Sequence, residues 1–430
     1  MRIAVIVHRY GEDVVGGAEQ QARGFAEEAA RRSWAIEVWT TCVRSHYTWE
    51  NVYPAGVEKI NGVLVRRFPI TWWDHYRRAE LEFRLNILGT LPSADQYAWL
   101  ETGAHSAPLY QHIVRHANEF DALIVLPYAM PLTHYAAWAA PERMVLWPCL
   151  HNETYAYLEL IRLLMESVWG VMFNSPEERD LAVKVLGIQP QRHAVLGEGV
   201  ALSLPIITQH VISRSGSFDF AQDKFWDEKS RPARTEISRS ARNDRMADQP
   251  RHDLLYIGRL EQGKNVHWLY QYIRRYVDDG GEIRLVVLGD GPVKPPAQPV
   301  FDYRGFVSEK EKAAACASVL ALCQPSVNES FSLTIMEAWL NGRPVLVHGD
   351  CAVTQGHVRR CNGGLWFRDY EEFVGAVEWL KNNPDLASRM GENGREYVRC
   401  NYTWQAVADR FERIMTVWRS PKDTAKSVKA

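Results

Sequence analysis

Two glutamates eight residues apart, Glu329 and Glu337, stand in the run Gln324-Pro325-Ser326-Val327-Asn328-Glu329-Ser330-Phe331-Ser332-Leu333-Thr334-Ile335-Met336-Glu337-Ala338. The run follows the apolar stretch Val319 to Leu322, so Glu329 falls in a strand-to-helix loop and Glu337 sits about two turns into a helix opening near Ser332. A helix start there presents free N–H groups and a positive dipole end, which suit phosphates. Glu337 offers two carboxylate oxygens to the two hydroxyls of a vicinal diol such as ribose, and Glu329 faces whatever lies beyond the diphosphate. Arg259 and Lys264 bracket another strand-to-helix loop, where a guanidinium fork and an ammonium can clamp a diphosphate. A third loop carries Gly16-Gly17 at a helix start, where a ligand can approach the backbone. Each feature alone also fits a tight turn or a solvated surface.

The elements that must hold these residues are legible. Ile3 to Val7, Ile36 to Thr40, Ala122 to Leu126, Met144 to Trp147 and Val171 to Phe173 are short apolar runs separated by helical patterns. Such alternation predicts a parallel sheet covered on both faces. The same grammar restarts after residue 250 with Leu254 to Ile257, Ile283 to Leu288, Val319 to Leu322 and Val345 to Val347. Helix starts are expected at Ser175-Pro176, Asn265 and the Ser308 to Glu311 capping box. The predicted organisation is an N-terminal unit over 1–200, a linker over 201–250 holding a polar insert at 213–250, and a second unit over 251–402. Trp404, Val407, Phe411, Met415 and Trp418 form one apolar stripe of a final helix at 403–419, which must pack on something large.

Composition narrows the function. Lys plus Arg number 50 against 52 Asp plus Glu in 430 residues, so no cationic excess points to nucleic acid. The seven cysteines are scattered and form no C-x-x-C, which argues against a disulfide framework or a zinc cage and for a reducing cytoplasm. No apolar run approaches bilayer length, so any membrane contact is peripheral. Trp72-Trp73-Asp74-His75-Tyr76-Arg77-Arg78 could serve an acceptor or a membrane surface. No G-x-G-x-x-G follows a strand, which disfavours a nicotinamide or flavin enzyme.

Taken in order, Gly16-Gly17-Ala18-Glu19, His151, Gly199-Val200, Gly258-Arg259 with Lys264, Gly289-Asp290-Gly291, Gly305 and the Glu329 to Glu337 spacing resemble glycosyltransferase family 4, also called glycosyltransferase group 1. The resemblance implies an α/β protein of GT-B fold: two Rossmann-like doubly wound domains facing a cleft, N-terminal for the acceptor and C-terminal for the donor, with the last helix crossing back to the first domain. By motif position Arg259 and Lys264 would bind the diphosphate, Ser332 and Leu333 would offer backbone N–H groups to phosphate, and Glu337 would hold the ribose. Glu329 and His151 would stand near the transferred sugar, and Gly17 near donor phosphates or acceptor.

The reaction implied is retaining transfer of a hexose from a nucleotide-diphosphate sugar to a glycan or lipid-linked acceptor, in envelope polysaccharide or glycolipid synthesis. Cations and a helix dipole then stabilise the leaving diphosphate. The chain has no Asp-x-Asp, so no metal or other cofactor is expected. Two departures stand out: Ser332 occupies a position where many members have Gly, and His348-Gly349-Asp350-Cys351 replaces the commoner Gly-x-Pro-Glu. A non-catalytic nucleotide or partner-binding protein and a nucleotide-sugar epimerase of the same fold are the rival readings.

Overall fold

The computed structural model describes residues 1–14, 16–201 and 253–420; the predicted insert at 213–250 lies outside them. The first sheet contains β1 (Arg2–Val7), β2 (Ala35–Thr41), β3 (Gly56–Ile60), β4 (Val63–Phe68), β5 (Ala122–Leu126), β6 (Met144–Leu146), β7 (Gly170–Phe173) and β8 (His193–Val195). Their order is β3-β4-β2-β1-β5-β6-β7-β8. The apolar runs became its buried centre, with β1 and β5 paired in parallel from Ile3↔Ala122 to Val7↔Leu126. The expectation of an all-parallel sheet needs correction at one edge, where β3 runs antiparallel to β4. Asn61 and Gly62 both take positive φ, 47° and 86°, and so make a tight reversal between the two strands. Four of the five β3 residues are exposed, so no apolar run marks the strand.

The second sheet holds β9 (Leu254–Ile257), β10 (Leu285–Leu288), β11 (Phe301–Gly305), β12 (Ala321–Gln324), β13 (Val345–His348) and β14 (Gly364–Phe367). Their order is β11-β10-β9-β12-β13-β14, and every pair is parallel. Helices cover both sheets: α1 (Gly17–Arg31), α2 (His75–Leu88), α3 (Ser93–Glu101), α4 (Ala107–His116), α5 (Pro131–Ala139), α6 (Glu159–Ser167) and α7 (Pro176–Asp180) belong to the first unit. To the second belong α8 (Val266–Asp278), α9 (Glu309–Ser318), α10 (Leu333–Leu340), α11 (Ala352–Cys361), α12 (Tyr370–Asn382) and α13 (Pro384–Asn401). The caps read from sequence are in place: Ser175 Oγ accepts from Glu178 N at 3.0 Å, and Ser308 with Glu311 closes a capping box.

The last helix, α14 (Trp404–Trp418), starts at the second unit and packs on the first. Val407, Phe411, Met415 and Trp418 join Ile3, Val5, Phe25 and Trp147 in one core, with the Phe25 and Phe411 rings 5.0 Å apart. Gly24 is required beneath it, since a Cβ there would lie 2.2 Å from the Trp404 ring. A second tie between the units is the Arg360 to Glu177 ion pair, joining α11 to α7. Among the described residues no helix is long and apolar enough to cross a membrane.

Candidate active site

The carboxyl ends of β9, β10 and β12 build one wall of the site. Gly289 and Gly291 follow β10, where a Cβ would come within 2.0 Å of Gly258 O and 2.4 Å of Leu260 O respectively. Only glycine lets the two loops touch backbone to backbone, and Leu260 N then donates to Asp290 O at 2.9 Å. Lys264 ends a short 3-10 turn, after which Asn265, at φ 55°, turns the chain into α8. The Asn265 amide donates to Pro325 O at 3.3 Å, tying this loop to the one after β12.

That tie sets Lys264 Nζ 2.7 Å from Glu329 Oε1, with side chains 18% and 10% exposed. Burial alone would raise the Glu329 pKa, but the opposing pull of Lys264 and His151 holds it below the usual value. Glu329 is therefore an ionised carboxylate beside a cation, at the start of α10. Ser332 is the N-cap of that helix, with φ 73° and ψ 81°, and its side chain makes no capping hydrogen bond. The departure from Gly at this position thus falls on a left-handed backbone, and the first-turn N–H groups from Leu333 onward have no side-chain cap. Glu337, further along α10, receives Lys312 Nζ of α9 at 2.8 Å. Burial raises its pKa, and Lys312 offsets only part of that.

A cavity of about 1010 Å³ opens between the units, lined by Gln20, Glu198, Lys312, Leu333 and Glu337 among others. His151 stands across from Glu329 on the loop after β6. That loop is anchored by Leu150 N, which donates to Glu178 Oε1 at 2.5 Å, while Asn174 N donates to the other carboxylate oxygen. His151 Nδ1 lies 3.6 Å from Glu153 Oε1, and the same oxygen accepts from Tyr128 OH at 2.7 Å. With its amide turned so that the nitrogen faces Asn152 O, Asn328 donates to it at 3.0 Å, so the loops of Glu329 and His151 meet directly. Glu198, buried behind them, has an Oε1 without a hydrogen-bond partner; burial, then the charges of Glu178 and Glu329, push its pKa well up.

Lys264, Glu329 and His151 thus form one cluster beside Ser332 at the start of α10, while Leu333 and Glu337 line the cavity, which Lys264, Glu329 and His151 do not. Arg259 stands at its rim, 64% exposed and 3.1 Å from Glu261. Its charge reaches His46 of the opposite unit, whose pKa falls to about 4, mainly by burial and then by Arg9 and His8. Gly17 opens α1, and a Cβ there would meet nothing within 4 Å. Beside it Glu19 is buried against His8 at 2.9 Å and against Arg9; burial opposes its ionisation, yet those partners bring its pKa down to about 2.

Sequence reasoning passed over Lys312, Glu153, Tyr128 and Glu198. None lies in a motif, although Lys312 shares a helix turn with the capping box already read. Glu178 was legible only as a cap partner, since its grip on Leu150 spans 28 residues.

Residues 251–383 match the profile described as glycosyl transferases group 1. The alpha-D-kanosaminyltransferase of Streptomyces kanamyceticus is 25% identical over 45% of this chain and 52% of its own, so the chain spans about half the length of that curated relative. Among solved structures, sucrose-phosphate synthase from Thermosynechococcus elongatus superposes with TM-score 0.66 at 16% identity, covering 96% of this chain and 98% of that one. Anabaena HepE in complex with UDP and glucose gives 0.63 at 13% identity, covering 97% and 99%. Those likenesses show the fold. Residues 251–383 are thus similar to the group 1 glycosyltransferases, and the two parallel-sheet units adopt the GT-B fold of these structures.

Proposed function

We propose that the chain transfers a hexose from a nucleotide-diphosphate sugar to a glycan or lipid-linked acceptor, with retention and without a metal ion, in envelope polysaccharide or glycolipid synthesis. The observation that supports this reading most is the Lys264–Glu329 pair beside the uncapped start of α10, facing His151 across the cleft. The donor diphosphate lies against Lys264, Arg259 and the N–H groups from Leu333 onward, and Glu337 accepts from the ribose hydroxyls. As the anomeric C–O bond breaks, negative charge grows on the diphosphate and positive charge on the sugar. Lys264 and the helix start stabilise the first. Glu329, held ionised by Lys264, stands near the second. The acceptor oxygen bonds to the anomeric carbon on the face the diphosphate leaves, and its proton passes to the departing diphosphate oxygen. Kinship to a kanosaminyltransferase and likeness to a UDP-bound fold support the donor class.

The test is a panel of UDP- and GDP-sugars, read first by thermal shift and then by donor hydrolysis with chelator present. One donor is expected to raise Tm and to be hydrolysed slowly in chelator, and Lys264→Ala should weaken both effects sharply. No stabilisation by any donor would overturn the reading, and hydrolysis only with added Mg²⁺ would overturn its metal-free part. Epimer exchange without acceptor would favour an epimerase.

A further inference from the structure

Among the described residues, Glu198 is a buried carboxyl that the cavity between the units leaves without a protein partner. It follows β8 in the stretch Leu196-Gly197-Glu198-Gly199-Val200, which is pinned on both sides: Gly197 N donates to Phe173 O at 3.2 Å and Val200 N to Tyr402 O at 2.7 Å. Gly199 lies under Trp404, whose ring would stand 2.2 Å from a Cβ there. The backbone of Glu198 is therefore fixed by the first sheet and by the start of α14. Its side chain lines the cavity, 5% exposed, with Oε1 unpaired. A buried polar atom without a partner is unfavourable, and a ligand that supplies the missing hydrogen bond relieves it.

The charges around it decide which form of the carboxyl meets that ligand. Burial opposes its ionisation first, and the carboxyls of Glu178 on α7 and Glu329 before α10 add to that, so the proton stays on. Cys149, on the loop after β6, is likewise kept a thiol, by burial and then by Glu178 and Glu198. Among the described residues the nearby cations have other partners: Lys264 has Glu329, Arg410 of α14 has Leu196 O and Asn401 O, Arg31 of α1 has Glu28, and Lys312 of α9 has Glu337. Arg23 donates to Gly11 O, Arg395 of α13 to Leu340 O, and Arg399 is exposed. The acids Glu27 and Glu309 of the same cavity pair with Asn61 and Lys312.

A neutral carboxyl is a hydrogen-bond donor, which a carboxylate is not. Also lining the cavity are Leu333 at the start of α10 and Glu337 within it, the groups to which the proposed transferase reading gives phosphate and ribose. We propose that Glu198 completes that site from the first unit, donating its O–H to an oxygen of the sugar nucleotide's diphosphate. Hydrogen bonds from O–H to an anionic oxygen are short and strong, whereas an ionised Glu198 would repel the same oxygen. A ribose hydroxyl could bind either form of the carboxyl and would make no such demand on the proton. The ligand rests on the transferase reading; the neutral, donating state of Glu198 does not.

Two measurements on the full-length chain test the two parts separately. Without ligand, the unfolded chain releases the Glu198 proton above the ordinary pKa of 4.5 while the folded chain keeps it, so the stability this group contributes falls as pH rises. The Tm of Glu198→Gln minus that of the parent should therefore increase from about pH 5 to about pH 8. A difference that stays constant or decreases would overturn the inference. With ligand, the UDP- and GDP-sugars of the donor panel are titrated into the parent, Glu198→Gln and Glu198→Leu in a calorimeter. Glu198→Gln, which still has a donor, should bind the preferred sugar nucleotide within about threefold of the parent, and Glu198→Leu about tenfold or more weakly with Tm undiminished. Undiminished binding by Glu198→Leu, or an equal loss in both variants, would overturn the role of Glu198 alone. Binding of no donor by any of the three chains would overturn the transferase reading and this ligand together, with the pH result unaffected.

Discussion

In the proposed reaction Lys264 carries the most weight, because its ammonium has Glu329 as partner at 2.7 Å and the uncapped start of α10 as neighbour. On that proposal Lys264→Ala removes a cation from beside the leaving diphosphate, and a fall in donor turnover of about 10²- to 10³-fold is expected by steady-state assay. The same change leaves a buried carboxylate unpaired, so the Glu329 pKa rises and the residual activity should be lost at a higher pH than in the parent as acid is added. Glu329→Gln in the Lys264→Ala background should remove that added acid sensitivity. Ser332 makes a separate prediction. Its φ of 73° is left-handed, a conformation that costs a side-chain-bearing residue about 1–2 kcal/mol. Glycine loses more entropy on folding, by about 0.5–1 kcal/mol. Ser332→Gly should therefore leave Tm unchanged or raise it by about 2 °C in calorimetry, and a clear fall in Tm would show that the hydroxyl contributes more than the backbone strain.

At the scale of elements, α14 decides whether the first unit is complete. Phe411 is fully buried against Phe25, Trp34 and the strands of the first sheet. Phe411→Ala leaves a void there and should lower stability by about 3–5 kcal/mol in denaturant unfolding. The apolar stripe was plain in the sequence, since its period of three and four survives any tertiary arrangement. So were the central strands β1, β5 and β9, whose apolar runs are buried along nearly their whole length. The edge strand β3 was not: its residues face solvent, and only pairing with β4 makes it a strand. Helix α2 shows the reverse difficulty. Its sequence has apolar residues on two faces, and nothing local says which face the core takes.

For the whole molecule, buried titratable groups set the pH range of stability. His134 is fully buried, its pKa lowered by burial from 6.5 to about 3; His112 and His46 fall to about 4, burial leading in both. Between those values and 6.5 the unfolded chain binds protons that the folded one does not, so stability drops as pH falls below 6.5. For His134 the slope approaches about 1.4 kcal/mol per pH unit. Glu178 acts in the opposite sense: burial raises its pKa from 4.5 to about 8, against the backbone N–H groups that it accepts from. The folded chain then holds a proton that the unfolded chain releases, and stability drops as pH rises from 4.5 through 8. With several histidines lowering stability below pH 6.5 and Glu178 opposing them as pH rises from 4.5 through 8, Tm should be greatest at about pH 6–7. His134→Gln, which retains a donor toward Tyr128 O and has no proton to gain, should flatten the acid side of that profile.

The sequence by itself determined the two α/β units, the final helix that needs a large partner, and the set of residues able to handle a diphosphate and a ribose. These follow from local periodicity, capping chemistry and side-chain type, which a chain carries wherever it folds. Only the tertiary structure decided that Lys264 pairs with Glu329 across 65 residues, that Lys312 reaches Glu337, and that Glu178 fixes the loop of His151. It also decided that Glu198 lies buried between the units and that α2 turns one apolar face to the core and the other outward. The physical reason is the same in each case. A charge or an apolar face acquires its meaning from burial and from a partner distant in sequence, and both exist only once the sheets have brought their loops together.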